Sequence, residues 1–310
     1  MNFQQLRIVR ETVRHHFNLT EASNALFTSQ SGASKHIRDL EEELGVELFE
    51  RRGKRILGLT HAGTSLLEII ERILLNAENL KRSAHQLTHE DQGILAIATT
   101  HTPAHYVLPP IIARFKQAFP KVHLEIHQSG PDEIVSLLKA GKVDIGIGPE
   151  ALDKEEQQFA CFPFYHWYHG VIVPKGHPLD DGQPLTLAHI ANHPIITYHE
   201  GVKGRARIDK AFTSAELMPD VVLTALDSDV IKTYVELGLG VGLIASMAYH
   251  EDRDRGLKLL DASDLLPRNI TYLALRRERF LRSFAYHFLQ LCHSDLDAAT
   301  IQQVLAGNQA

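Results

Sequence analysis

The 310-residue sequence predicts a mixed fold: an N-terminal winged helix-turn-helix, a long linker helix, and a C-terminal two-lobed α/β domain. Three observations carry this prediction. A short helix with a polar, cationic outer face is followed by a basic hairpin. A seven-position heptad seam comes next. From Gly93 onward, short apolar runs alternate with helical patterns.

Leu6, Val9, Val13 and Phe17 recur at three- and four-residue spacing and predict a first helix ending near His15 to Asn18. A second helix is expected from a Thr20 N-cap, with Ala22, Ala25 and Leu26 as its apolar face. After Thr28-Ser29 a third helix starts near Gln30. Its inner stripe is Ala33, Ile37, Leu40 and Leu44, and its outer stripe is Ser31, Ser34, Lys35 and Arg38. Short hydroxyl and cationic side chains suit phosphate oxygens and base edges in a major groove, and Gln30 suits adenine. On this helix alone, a solvated face on an ordinary three-helix bundle is an equal reading.

The runs 46–50 and 56–59 flank Arg51-Arg52-Gly53-Lys54-Arg55, a predicted hairpin whose cations suit the phosphate backbone. Leu66, Ile70, Ile73, Ala77, Leu80, Ala84 and Leu87 then form an a/d seam, favouring an intermolecular helix pair over packing on the chain's own body. Domain boundaries are expected at 1–62, 63–90 and 91–310.

Strands at 93–98, 122–127 and 143–147, with helices at 109–119 and 132–140, predict a parallel-sheet lobe. A second set follows: strands at 171–173, 195–198, 221–224 and 241–244, with helices at 208–215 and 229–237. Elements at 270–275 and 281–292 return to complete the first lobe. Lobe 1 is expected over about 91–163 and 268–294, lobe 2 over about 164–267, in a periplasmic-binding-protein-like arrangement with a ligand cleft between them. The candidate site is the strand end Thr99-Thr100-His101-Thr102-Pro103, faced by Thr197 to Arg205 with Lys203, Gly204 and Arg205, which together suit an anion. Strand-end threonines and caps are the plainer account of the first cluster.

The formal charge is -6, yet residues 1–90 hold 12 Lys and Arg against 12 Asp and Glu, so the acidic excess lies in residues 91–310. Cys161 and Cys292 lie far apart, as expected for buried thiols in a reducing compartment. No run of about 18 uncharged apolar residues and no basic-then-apolar start occurs, so a soluble cytoplasmic protein with no membrane partner is expected. His123 and His127 on a strand stand about 13 Å apart, and His166/His169 fit core or cleft positions better than a helical pair of ligands. No metal site and no cofactor are therefore expected. Motifs of hydrolases, P-loop proteins and dinucleotide enzymes are missing, which disfavours an enzyme. Gly238, Gly240 and Gly242 follow a helix and suit a C-cap and tight turn.

The stretch from Leu26 to Ile37, with Leu40-Glu41, Leu44-Gly45, Leu48-Phe49, Arg51 and Thr60-His61-Ala62-Gly63, resembles the DNA-binding module of LysR-type transcriptional regulators. That resemblance implies double-stranded operator DNA contacted by Thr28, Ser29, Gln30, Ser31, Ser34, Lys35, Arg38, Arg51, Arg52, Lys54 and Arg55. It also implies a dimerising linker helix, a tetramer, RNA polymerase as a partner and an effector domain. Ile97 to Thr102, His166-Trp167 and Asp227 to Val235 with Leu237 to Gly242 resemble the CysB/Cbl-like branch, regulators of sulfur assimilation and sulfonate use. The implied effector is a small sulfur anion of the sulfate, thiosulfate, adenosine phosphosulfate or sulfonate class. It would meet Thr100, His101, Thr102, Pro103, Pro149, Trp167, Lys203, Gly204 and Arg205. Pro103 stands where the branch has glutamine, and Pro149 and Lys203 stand where it has threonines, so a different or larger anion is expected. A LysR-type regulator with a non-sulfur ligand is the alternative, ahead of a solute-binding protein or an enzyme.

Overall fold

A computed structural model describes residues 1–53, 55–88, 90–149, 158–200 and 203–305, with only the backbone of Lys203. The chain divides into two compact units, Met1–Thr88 with Glu278–Phe280, and the remainder.

In the first unit, α1 (Phe3–Arg14), α2 (Leu19–Ala25) and α3 (Gln30–Leu44) precede a hairpin of β1 (Phe49–Arg52) and β2 (Arg55–Leu59). Asn2 caps α1 in a capping box with Gln5. Asn18, rather than Thr20, caps α2, its side chain accepting from the Thr20 and Glu21 N–H groups. Ala22 is buried, but Ala25 is exposed. On α3, Ala33, Ile37 and Leu40 are fully buried as the spacing predicts, whereas Leu44 is 38% exposed. The inner stripe ends instead on Glu41, whose carboxylate reaches back to the start of β1. Residue 54, predicted at the hairpin tip, lies outside the described residues.

The linker helix α4 (His61–Thr88) is capped by Thr60, whose hydroxyl accepts from Gly63 N–H at 2.9 Å and donates to Glu47 O at 2.6 Å. Its seam divides. Ile70 is buried and Leu66 and Ile73 partly buried against the helix-turn-helix core, so this half is occupied within the chain. Leu80 and Leu87 are 72% and 87% exposed.

The second unit holds two five-stranded sheets. Lobe 1 contains β3 (Gly93–Thr99), α5 (Leu108–Ala118), β4 (Val122–Gln128), α6 (Pro131–Lys139), β5 (Ile145–Pro149) and β6 (Phe159–Trp167). Lobe 2 contains β7 (His169–Pro174), α7 (Leu187–Ala191), β8 (Ile195–Tyr198), α8 (Lys203–Ser214), β9 (Val221–Ala225), α9 (Ser228–Glu236), β10 (Val241–Ala245) and β11 (Leu257–Leu260). The chain then returns to lobe 1 with β12 (Asn269–Arg276), α10 (Ser283–Cys292) and α11 (Ala298–Leu305).

The strand orders are β4-β3-β5-β12-β6 and β11-β7-β10-β8-β9. Both sheets are mixed rather than purely parallel: β12 runs antiparallel to β5 and β6, and β7 runs antiparallel to β10 and β11. Phe115, Phe284 and Phe288 anchor the lobe 1 core, and Ile172, Ile196, Ile231 and Leu243 that of lobe 2.

Strand β6 was not predicted, and it moves the lobe boundary from 163 to Tyr168. Its Pro163 fits because β6 is a sheet edge, where a missing N–H costs no ladder bond. Gly238 follows α9 at φ +76° as a C-cap residue should. Gly242 instead lies inside β10, where a Cβ would meet Ile172, Val235 and Ile231 within 3 Å. Neither Cys161 nor Cys292 is in a disulfide, and burial pushes the Cys292 thiol up. Among the described residues no helix is long and apolar enough to cross a membrane.

Candidate functional site

Two surfaces carry the predicted site residues. On the first unit, Ser29 caps α3 by accepting from Gly32 N–H at 3.1 Å, and its hydroxyl lies 3.2 Å from that of Ser31. Gln30, Ser31, Lys35 and Arg38 are exposed, while Thr28 and Ser34 are half-buried. Arg38 folds back on Ser34, within 3.4 Å of its hydroxyl and its carbonyl. Arg52 and Arg55 are exposed on the hairpin. Gln30, Arg55, His15 and Thr20 line one open groove of about 690 Å³. Arg51 is held differently, its guanidinium donating to Glu41 at 2.7 Å.

The second surface is the cleft between the lobes, a cavity of about 660 Å³. Thr100, His101, Thr102, Pro103, Pro149 and Trp167 line it from lobe 1, and Gly204 from lobe 2. The Trp167 indole donates to the Thr271 hydroxyl at 3.1 Å, which fixes the ring against β12.

Arg205 does not line the cavity. It is 9% exposed and committed to the Tyr198 carbonyl at 2.9 Å and to Asp209 at 2.6 Å, so it braces α8 against β8. The Lys203 side chain lies outside the described residues.

Several lining residues escaped sequence reasoning. Ser129 and Gly130 bring the start of α6 to the cavity; Pro131 opens the helix without an N–H and no side chain caps it, so the N–H groups of Asp132 and Glu133 and the positive dipole end are presented there. Asp132 and Glu133 sit on the same first turn and add negative charge at the exposed rim. Tyr165, Leu226 and Met247 supply apolar surface.

Tyr198 and His169 form the lobe 2 wall. The Tyr198 hydroxyl accepts from Ala245 N–H at 2.8 Å and lies 2.8 Å from the Ser228 hydroxyl, tying together the ends of β8, α9 and β10. Burial, reinforced by the Arg207 charge, lowers His169 to about 4, so its ring is neutral at neutral pH. Neither ring nitrogen has a hydrogen-bond partner. Gly204 makes room for the ring, since a Cβ there would stand 2.8 Å from Nε2.

This arrangement can hold a compact polar ligand. It offers hydroxyls from one lobe, an uncapped helix start, the neutral His169 imidazole on the lobe 2 wall, and aromatic surface on both walls.

Comparison with known proteins finds one matching family for each part of the chain. Residues 3–64 match the bacterial regulatory helix-turn-helix protein, lysR family, and residues 88–297 match the LysR substrate binding domain. The chain is 52% identical over 305 residues to the HTH-type transcriptional regulator SsuR of Burkholderia cenocepacia, covering 98% of this chain and 99% of that one. It is 50% identical over 303 residues to the HTH-type transcriptional regulator cbl of Escherichia coli, covering 98% and 96%. The crystal structure of the cofactor-binding domain of the Cbl transcriptional regulator is 45% identical, covers 69% of this chain and 93% of that one, and superposes with a TM-score of 0.64.

Proposed function

We propose, from the premise that this chain belongs to the LysR family and is a transcriptional regulator rather than an enzyme, that it controls sulfur-assimilation or sulfonate-utilisation genes in response to a small sulfur-containing anion. The observation that carries this is the interlobe cleft. Hydroxyl-bearing Thr100 and Thr102 and the uncapped start of α6 face it from one lobe, and Gly204 opens the other wall. Oxyanions are recognised by such N–H and O–H donors. The two prolines lower donor capacity on the lobe 1 side, which favours a sulfonate or nucleotide-linked sulfate with an apolar or aromatic body over bare sulfate. Lys203 supplies the charge.

Thr28, Ser29, Gln30, Ser31, Ser34, Lys35 and Arg38 contact operator DNA in the major groove, and Arg51, Arg52, Lys54 and Arg55 flank it at the backbone. The exposed half of α4 pairs with a second copy, placing two such heads on one two-fold operator, and two dimers form a tetramer in the cytoplasm. Effector binding closes the lobes and resets the tetramer on DNA, and thereby its contact with RNA polymerase, through a difference in affinity between the two arrangements.

The test is a thermal-shift titration of the pure protein with sulfate, thiosulfate, adenosine phosphosulfate, alkyl and aryl sulfonates, and phosphate as control. Saturable stabilisation by a sulfur anion and not by phosphate is expected. Protein that binds DNA yet responds to none of them overturns the sulfur assignment.

A further inference from the structure

At the rim of the cleft, His101, which also lines the cavity, meets two side chains that do not, His105 and Asp229. Among the described residues, His101, His105 and Asp229 are the one group of three potential metal ligands whose donor atoms all lie within 4.8 Å of one another. His101 and His105 are four residues apart on the helical stretch that follows β3, which includes a π-helical turn at Pro103–Val107. Such turns place i and i+4 side chains on one face. The two imidazoles stack with centroids 5.7 Å apart and planes inclined by 21°. Asp229 comes from the first turn of α9 in the other lobe, its Oδ2 3.9 Å from His105 Nε2.

The surroundings are those of a metal-binding carboxylate. Asp229 Oδ1 accepts from the Tyr106 hydroxyl at 2.6 Å and lies 3.4 Å from the Lys232 ammonium, which leaves Oδ2 turned to the imidazoles. Outer partners of this kind orient a ligating carboxylate. The Lys232 charge is itself balanced by Asp254 at 3.0 Å and anchored on the Ala248 carbonyl. His101 Nδ1 is buried without a hydrogen-bond partner. Side chains of His105 and Asp229 are 45% and 42% exposed, so an ion has a way in and room for water or another ligand.

We propose that His101, His105 and Asp229 form a site for a divalent transition-metal ion of the zinc class that bridges the two lobes. Two imidazoles and one carboxylate suit such an ion better than calcium or magnesium, which take oxygen ligands. In a tetrahedral site with metal–ligand distances of about 2.1 Å the donor atoms stand about 3.4 Å apart, so His105 and Asp229, 3.9 Å apart, close by about 0.5 Å on binding and no pair closes by more than about 1.4 Å. The ion draws the His101–His105 turn toward α9 and favours the closed cleft, independently of which effector occupies it.

The experiment uses full-length, untagged protein stripped with chelator and titrated with zinc chloride by calorimetry, with cobalt chloride as a visible-absorption probe. One equivalent should bind saturably to the wild type. His105→Ala and the conservative Asp229→Asn should each weaken zinc binding by about 100-fold and abolish the tetrahedral cobalt bands, while His123→Ala, exposed at the end of β4 away from the cleft, leaves both unchanged. Circular dichroism melting confirms that each variant is folded, and His101→Gln replaces any that is not. Equal zinc affinity in wild type and ligand variants, or only weak multi-site binding to surface histidines, overturns the proposal.

Discussion

The Glu41 carboxylate and the Arg51 guanidinium form a hinge-pin between α3 and the hairpin: one Glu41 oxygen accepts from Leu48 and Phe49 N–H at 2.9 and 3.2 Å, and the other accepts from Arg51 at 2.7 Å. The angle of the hairpin to the outer face of α3 is therefore set by one nearly buried charge. Glu41→Ala strands two buried N–H groups and leaves Arg51 unpaired, which should cost about 2–4 kcal/mol. Calorimetric unfolding of the full chain, in the transition of the N-terminal unit, checks this, and Glu41→Gln should lose less because it keeps an acceptor.

On the DNA surface, Lys35→Ala and Arg38→Ala should each weaken operator binding by about 1–3 kcal/mol where they touch base edges. Arg52→Ala and Arg55→Ala should weaken binding on every duplex alike and reduce the salt slope by about one per phosphate contact. Mobility-shift titrations at several salt concentrations separate the two behaviours. Unchanged operator affinity in both α3 variants would remove that helix face from the interface.

Leu80 and Leu87 stand exposed in a single chain while Ile70, earlier in the same seam, is already covered. Replacing both leucines with glutamate should convert the assembled protein to a smaller species in sedimentation velocity, with the helix-turn-helix still folded. Ile70→Glu should instead unfold the N-terminal unit, because its methyls fill that unit's core.

His169 makes stability depend on pH in a definite direction. The unfolded chain takes up a proton on this residue below its ordinary 6.5, whereas burial holds the folded ring neutral down to about 4. Stability from His169 is therefore complete above pH 6.5 and declines as pH falls toward 4, by about 3 kcal/mol in total. His169→Phe should flatten that portion of the stability curve, measured by urea unfolding at half-unit pH steps. An unchanged slope would mean that the ring titrates normally.

The parts of the fold that the sequence made legible are those where one periodicity decides burial. Ala33, Ile37 and Leu40 are inside because helical spacing puts them there, and the Thr100 to Pro103 strand end lines the cleft because β3 stops there. Leu44 was misread because a carboxylate, invisible to a hydrophobic pattern, closes that end of the helix. Strand β6 was missed because Pro163 breaks its pattern, and only a sheet edge makes the proline harmless. Arg205 carries the same charge whether it meets a ligand or a carbonyl, and only the fold places it on Tyr198. Ser129, His169 and Met247 come from three distant segments that topology alone assembles. The His101/His105 spacing was present in the sequence, but its third member arrives from the other lobe.

The chain crosses from lobe 1 to lobe 2 between Trp167, the last residue of β6, and His169, the first of β7, with only Tyr168 between them. Their rings meet edge to face at 4.9 Å, and Trp167 is the sole tryptophan of the sequence. Rotation of one lobe against the other bends this crossing and the return from β11 to β12, and the first of the two lies within a residue of the single indole, so it changes what that indole touches. The protein carries its own optical gauge at the pivot: excited at the red edge of indole absorption, its emission intensity and wavelength report the lobe angle with no label attached.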